Sequence, residues 1–436
     1  MTHPDHLMQR LCGAILGAGW RGLATLLAPA LRLNLWRRVR RGKEIAACLP
    51  QRRGFAPCRR PAGRLIWLHA ASVGETVAVM PVIGQILHSS AEQHVLVTTG
   101  TISGAEILHA RLADLPGHER VHHQFAPLDV PRWVARFLDF WRPDVAALVE
   151  SELWPNLIAA CMARHVPVAL LSGRMSDRSL AGWRKAACLL RRMLSSLAWV
   201  MARSKEDARR LVHGGAGRID LIADLKDAAG PLPYDPAALA ELRQSLAGRP
   251  VWVAASTHHG EDAEILQAAH LIRQAVPDAL TIIIPRHPQR GKEIADLSGG
   301  PVPRRAAGQV PTVRDSVWIC DTLGETGLFY ALAAPVLLGN SLPGCTGGGH
   351  NPVEPARAGC ALASGPGIDN FRQAYARLGD SVRHVMTAQD IAQWVVSLIG
   401  HAGAPAAAGD AARRHVLPDP DIARQVAQAL ITLGAP

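Results

Sequence analysis

Residues 64–88 read RLIWLHAASVGETVAVMPVIGQILH, and the fold turns on this stretch. RLIWLH (64–69) is apolar almost without a break. Small residues then lead past Glu75, and from Thr76 to His88 the residues Val79, Met80, Val82, Ile83, Ile86 and Leu87 recur at helical spacing. A short unbroken apolar run suits a strand covered on both faces, and the pattern after it suits a helix packed across that strand. The turn leaves one carboxylate, Glu75, at the strand's exit. A first-turn glutamate also suits the positive end of a helix, so capping alone would account for it. The flanking ASVG adds a second reason, because small residues let a ligand approach the backbone closely.

The same unit recurs outward from this stretch. HVLVTT (94–99), VAALV (145–149), VPVALL (166–171) and AWVMA (198–202) are further candidate strands with helical patterns between them. A Pro/Gly-rich break, AAGPLPYDP (228–236), interrupts the series. It restarts with VWVAAS (251–256), LTIIIP (280–285), VWICD (317–321) and APVLLG (334–339). Strands alternating with helices imply βαβ units and parallel sheets. The expectation is an α/β protein of two Rossmann-like domains facing across a cleft. The expected boundaries are 1–43 for a basic, membrane-associating N-terminal segment, 44–228 for the first domain, 229–249 for a linker and 250–436 for the second domain. The last helix is a candidate to return to the first domain. No GxGxxG follows the first strand and no Walker sequence occurs, which argues against dinucleotide and P-loop chemistry.

Composition narrows the class. The chain has 436 residues, 48% of them hydrophobic, enough for two cored domains rather than a disordered or fibrous chain. Lys+Arg number 47 against 36 Asp+Glu, a net +11 that favours anionic partners. The 8 cysteines stand apart from one another, without CxxC spacing, as in a reduced protein. Residues 7–35 are rich in leucine but broken by Arg10, Arg21 and Arg32, and WRRVRRGK (36–43) follows. A spanning helix wants about 20 mostly uncharged residues. An in-plane amphipathic anchor held to an anionic lipid surface fits this composition better, the alternative being an ordinary surface helix docked on the body. With 3 Tyr and 6 Phe, and basic residues not interleaved with aromatics, nucleic-acid binding is not expected.

In open parallel sheets ligands gather at the carboxyl ends of strands, so polar residues there are the candidates for chemistry. VESELWPNL (149–157) puts Glu150 and Glu152 at a strand exit, a pairing suited to acid/base or electrostatic work. IIIPRHPQR (282–290) puts Arg286, His287 and Arg290 after a buried strand, where an arginine fork matches phosphate. ASTHHGE (255–261) offers small and hydroxyl donors to an anion. Neither His258–His259 nor His122–His123 suits a metal, because adjacent side chains point in different directions. GNSLPGCTGGGHNPVEPARAG (339–359) brings a glycine-rich loop to a helix start, a natural phosphate cradle, with Glu354 placed to accept from ribose hydroxyls. CDTLGE (320–325) lies one βα unit earlier.

In combination HAASVGE, ESELWPN, STHHGE, PRHPQR, DTLGE and GGGHNPVEPA resemble, in order and spacing, the bacterial transferases of 3-deoxy-D-manno-oct-2-ulosonic acid (Kdo). The resemblance runs from about residue 35 to the C-terminus. It implies a GT-B fold and inverting, metal-independent transfer of Kdo from CMP-Kdo to the lipid A precursor in lipopolysaccharide synthesis. It also implies no cofactor and an attachment to the cytoplasmic face of the inner membrane. Carried over by position, Glu75 matches the catalytic base, and Glu150 and Lys226 match groups that support the transition state. Pro285, Arg286, Leu323, Gly324, Glu325, Asn351, Pro352, Val353 and Glu354 match CMP contacts. The chain departs from the pattern in three places. Lys226 sits in ADLKDA rather than after GS or GN, Leu323 stands where methionine is common, and the glycine loop is about two residues longer than usual. Two other readings stand beside this one: another GT-B nucleotide-sugar enzyme, such as an epimerase or a different sugar transferase, and a non-catalytic basic membrane- or nucleic-acid-binding protein.

Overall fold

A computed structural model describes residues 3–113 and 115–435. The chain forms two compact units, one of residues 1–229 with 418–436 and the other of residues 230–417. The first holds seven strands: β1 (Arg64–Ala70), β2 (Gln93–Thr99), β3 (Val121–Phe125), β4 (Val145–Val149), β5 (Val168–Gly173), β6 (Trp199–Ala202) and β7 (Leu221–Ile222). They form one parallel sheet in the order β3-β2-β1-β4-β5-β6-β7. The second holds β8 (Val251–Thr257), β9 (Leu280–Pro285), β10 (Val317–Ile319), β11 (Val336–Leu338), β12 (Leu362–Ser364) and β13 (Val382–His384). Their order is β10-β9-β8-β11-β12-β13, again parallel. Each sheet is doubly wound, and its winding reverses beside its first strand, at β1/β4 and at β8/β11. The architecture is GT-B.

The apolar strands are explained by cover on both faces. Along β1, Ile66, Leu68 and Ala70 enter one core while Leu65 and Trp67 enter the core on the other face. Along β8, Val253 and Ala255 alternate with Trp252 and Ala254 in the same way. Both first strands also bury a tryptophan whose indole N–H is satisfied by a threonine of the next strand. Trp67 Nε1 donates to Thr98 Oγ1 at 2.9 Å and Trp252 Nε1 to Thr281 Oγ1 at 2.8 Å. A large apolar body is thereby buried without an orphaned donor.

Three expected boundaries change. Residues 229–249 are not merely a linker, because the helix Pro236–Leu246 buries Leu239, Leu242 and Leu246 in the core of the second unit. The second unit ends at Leu417 rather than at the C-terminus. The helix Pro420–Leu433, the candidate to return, packs Ile422, Ala423, Val426, Ala427 and Leu430 against the first unit's helix Val73–Ser89. Burying aliphatic side chains at about 1.5–3 kcal/mol each makes that return strongly favourable.

The N-terminal segment is likewise part of the first unit rather than a separate piece. Its helix His3–Leu26 lies so close to the helix Ala187–Leu194 that a Cβ on Gly13 would stand 2.7 Å from the Cys188 carbonyl oxygen. Trp20 Nε1 donates to buried Asp129 at 3.0 Å. The opposite face leaves Met8, Leu11, Ile15, Leu23 and Leu26 exposed, at spacings of three, four and eight residues. Among the described residues no single helix is long and apolar enough to cross a membrane. The following helix, Ala28–Arg40, continues at a 55° bend and exposes Leu33 and Trp36.

Candidate active site

In the first unit the site is built around the β1/β4 reversal. Ser72 caps the helix Val73–Ser89, its Oγ accepting from Glu75 N and donating to Glu75 Oε1 at 2.8 Å. Glu75 Oε2 accepts from the Ala71 N–H at 2.7 Å. Capping therefore does occur, and it fixes the carboxylate at the strand exit with only 7% of the residue exposed. Burial raises the Glu75 pKa, the two hydrogen bonds oppose that rise, and the charges of Glu150 and Glu152 add to it. A carboxylate so placed holds a proton more readily than an exposed glutamate.

Glu150 follows β4 with a φ of 57°, a left-handed conformation that disfavours any residue with a Cβ. Its N–H donates to the Leu171 carbonyl and its carbonyl accepts from Arg174 N, so the strained turn is held from both sides. The Glu150 side chain meets Lys226 Nζ at 2.8 Å. Lys226 stands on the short helix Leu225–Ala228, which is capped by Asp224 and tied by Leu225 N to Ser172 Oγ at 2.7 Å. Its side chain passes Gly74, where a Cβ would lie 3.9 Å from Lys226 Cε. The unusual ADLKDA setting thus still delivers the amine to Glu150.

Two members of this cluster carried no assigned role in the sequence. His69, the last polar residue of β1, approaches Glu152 at 3.5 Å through Nε2, while its Nδ1 lies 2.9 Å from Thr98 Oγ1. Burial pushes the Glu152 pKa up, but the contacts with His69 and Trp154 outweigh it and leave the group below its ordinary value. Farther out, buried Arg52 pairs with Glu44 at 3.1 Å and donates to the carbonyls of Thr99 and Gly100. Gly100 N in turn donates to the Ala71 carbonyl. The loop that holds Glu75 is thereby clamped from the β2 side. RR pairs in a basic stretch give no sequence signal for that task.

In the second unit the corresponding strand ends carry different chemistry. Arg286 is exposed beyond buried Pro285, and its N–H donates to the Thr257 carbonyl. Arg290, the other candidate phosphate fork, is already engaged by Asp262 and by Glu293 at 3.4 Å. Arg286 is therefore the stronger anion candidate of the two. Glu325 is held by Arg305, whose Nε lies 2.7 Å away, and the ion pair depresses its pKa against the effect of burial. Gly324 adopts a left-handed φ of 83°, and Leu323 beside it is 79% exposed. Asn351 Oδ1 accepts from Val353 N at 3.1 Å, and its amide donates to Glu354 at 3.3 Å, with Pro352 buried between them. The glycine loop has a packing reason for its glycines. A Cβ on Gly347 would strike the Asn340 side chain, and one on Gly349 would lie 2.6 Å from the Gly367 carbonyl oxygen.

Adjacent histidines diverge, His258 toward His350 and His259 toward Glu293. Among the described residues no three His, Cys, Asp or Glu side chains are grouped to hold a metal ion. At the β8/β11 reversal lies Glu261, fully buried. Its Oε2 accepts from His258 N at 3.1 Å and from Asn340 N, whereas Oε1 has no hydrogen-bond partner. Burial pushes its pKa up to about 7.

Two parallel doubly wound sheets with charged groups at both reversal points define a GT-B fold. Solved structures share this fold at low identity. The putative UDP-N-acetylglucosamine 2-epimerase of Listeria monocytogenes aligns with a TM-score of 0.58 at 11% identity, covering 85% of this chain and 96% of that one. Sequence relatives narrow the class. The family model described as 3-deoxy-D-manno-octulosonic-acid transferase (kdotransferase) matches residues 47–229. The 3-deoxy-D-manno-octulosonic acid transferase of Bordetella pertussis is 36% identical, over 90% of this chain and 94% of that protein. The probable mitochondrial 3-deoxy-D-manno-octulosonic acid transferase of Arabidopsis thaliana is 35% identical, over 81% and 80%. The chain belongs to the 3-deoxy-D-manno-octulosonic acid transferase family and is a glycosyltransferase.

Proposed function

We propose that the protein transfers Kdo from CMP-Kdo to a hydroxyl of the lipid A precursor, with inversion and without a metal or other cofactor. The observation that carries this reading is Glu75, a buried carboxylate of raised pKa beside the Glu150–Lys226 pair, at the reversal point of a family member's first sheet. The acceptor hydroxyl gives its proton to Glu75 as its oxygen bonds to the anomeric carbon. The bond from that carbon to the phosphate oxygen breaks, and its electron pair leaves with CMP. Lys226 and Glu150 steady the charge of the oxocarbenium-like state and of the sugar's carboxylate. Arg286 receives the developing phosphate charge, with Glu325, Asn351, Val353 and Glu354 as further donor contacts.

The assay is CMP release from CMP-Kdo with and without lipid A precursor. Acceptor-dependent release supports the reading. Release that is indifferent to acceptor, or turnover of a UDP-sugar instead, would replace it with another GT-B activity.

Attachment to the cytoplasmic face of the inner membrane belongs to the same reading, supported by the exposed row Leu11, Ile15, Leu23 and Leu26 and by the basic run that follows. Leu11→Ser with Leu26→Ser should weaken binding to phosphatidylglycerol vesicles by at least about tenfold while leaving the melting curve nearly unchanged. Undiminished flotation with the vesicles would remove the anchor.

A further inference from the structure

The Nε2 atoms of His258 and His350 lie 3.0 Å apart. Two imidazole nitrogens at that distance share one proton, so one ring donates and the other accepts. When both rings are neutral, the donating ring has its only proton at Nε2 and its Nδ1 is bare. The accepting ring carries its proton on Nδ1. The pair therefore has one empty nitrogen.

Its surroundings disfavour an added proton. Burial is the main cause that lowers both imidazoles, His350 to about 4, and neighbouring imidazole and guanidinium groups lower them further. Those groups are His258 itself for His350, Arg290 for His258, and, for both rings, Arg286 and His287, whose ring centre is 5.7 Å from that of His258. Asp262 opposes them at His258 but is itself committed to Arg290. Glu261 engages only the backbone N–H of His258. Among the described residues Arg286 pairs with no carboxylate. The cluster thus sets the guanidinium of Arg286, which none of these carboxylates engages, near a free ring nitrogen.

The pair also lies among the positions proposed to hold the donor. His258 follows Thr257, whose carbonyl accepts from Arg286 N, and His350 directly precedes Asn351. We propose that His258 and His350 form a proton-sharing pair that takes up one proton from solvent when the donor's phosphate binds beside Arg286, making donor binding proton-coupled. The inference rests on the CMP-Kdo reading above. An anionic charge within hydrogen-bonding range raises an imidazole pKa by roughly one to three units, which carries the pair toward neutrality. The proton adds to the bare nitrogen, and the resulting imidazolium offers the phosphate a charged donor next to the guanidinium.

The test is calorimetry on the full-length protein with the 5′-phosphate methyl ester of CMP. The single phosphate charge of this probe does not titrate near neutrality. Titration at about pH 6, in buffers of different ionisation heat, counts the protons taken up. The wild type is expected to take up between about a tenth and nine-tenths of a proton, and its Kd to rise by up to about tenfold per pH unit toward alkaline pH. His258→Gln and His350→Gln, each checked by a melting curve, should bind more weakly with no uptake and a flat pH profile. Binding without proton uptake in the wild type overturns the pair. Uptake that survives in both variants overturns it as well and points to another group of the cluster, Glu261 or His287. A wild type that fails to bind either the ester or CMP overturns the donor reading itself. Binding of CMP with normal affinity but no pH dependence in any protein sinks only the pair.

Discussion

The two sheets share a winding order around their reversal points, yet their strand ends carry opposite chemistry. At β1/β4 the groups are carboxylates, Glu75, Glu150 and Glu152, answered by Lys226 and His69. At β8/β11 they are Arg286 and the His258–His350 pair, whose imidazole pKa values burial lowers, over one buried carboxylate, Glu261. Even the strain is matched, since Glu150 after β4 and Asn340 just after β11 take left-handed φ values of 57° and 58°. The difference teaches that the backbone supplies only an address. The side chains placed there decide which chemistry a reversal point can offer.

The sharpest way to break this division is Glu75→Gln. It keeps both capping contacts available but cannot take a proton, so turnover should fall roughly 10²–10⁴-fold with CMP affinity unchanged. Parallel loss of CMP affinity would erase the contrast between the two ends. The raised pKa also sets a sign. Turnover should climb with pH as Glu75 deprotonates, and Glu150→Gln, which removes a repelling charge, should move that acid limb to lower pH. A limb that stays in place would assign the base elsewhere.

Next in size is Arg286→Ala. Losing a charge-assisted phosphate contact should weaken CMP binding by about 1.5–3 kcal/mol, with acceptor binding spared. Unaltered CMP affinity in calorimetry would remove Arg286 from the donor site.

Glu261 offers a smaller effect, on stability alone. Its pKa rises from the ordinary 4.5 to about 7, so across that interval the folded protein keeps a proton that the unfolded chain loses. Stability should therefore decline as pH rises through the interval and stay lower above it. The decline is at most roughly 3 kcal/mol. Glu261→Gln should flatten it, because an amide can still accept from His258 N and Asn340 N. Melting curves of wild type and variant that run parallel from acid to neutral pH would show that Glu261 is already ionised in the fold.

Much of this was open to reading in one dimension. A strand buried on both faces must be apolar at nearly every position, so β1, β2, β4, β8 and β9 announce themselves, and any charged residue at their exits stands out. Strand β3 does not, because VHHQF is an edge strand that puts His122 and His123 in the run. Strand β13 does not either, because VRH carries two exposed polar residues in three, and β12, LAS, offers a single large apolar side chain. The candidates at strand exits could be named, but Arg290 shows the limit. Its sequence position is as good as that of Arg286, and only the fold reveals that Asp262 and Glu293 have claimed it.

By itself the sequence determined the α/β class, the two blocks, the strand-end residues, and the motifs that mark the family. These depend on local periodicity and on which residue follows which. The tertiary structure alone decided that Lys226 meets Glu150 across 76 positions, that His258 meets His350 across 92, and that the last helix joins the first unit. Such pairings are set by strand order and by apolar burial between distant segments, and neither leaves a periodic trace in the chain.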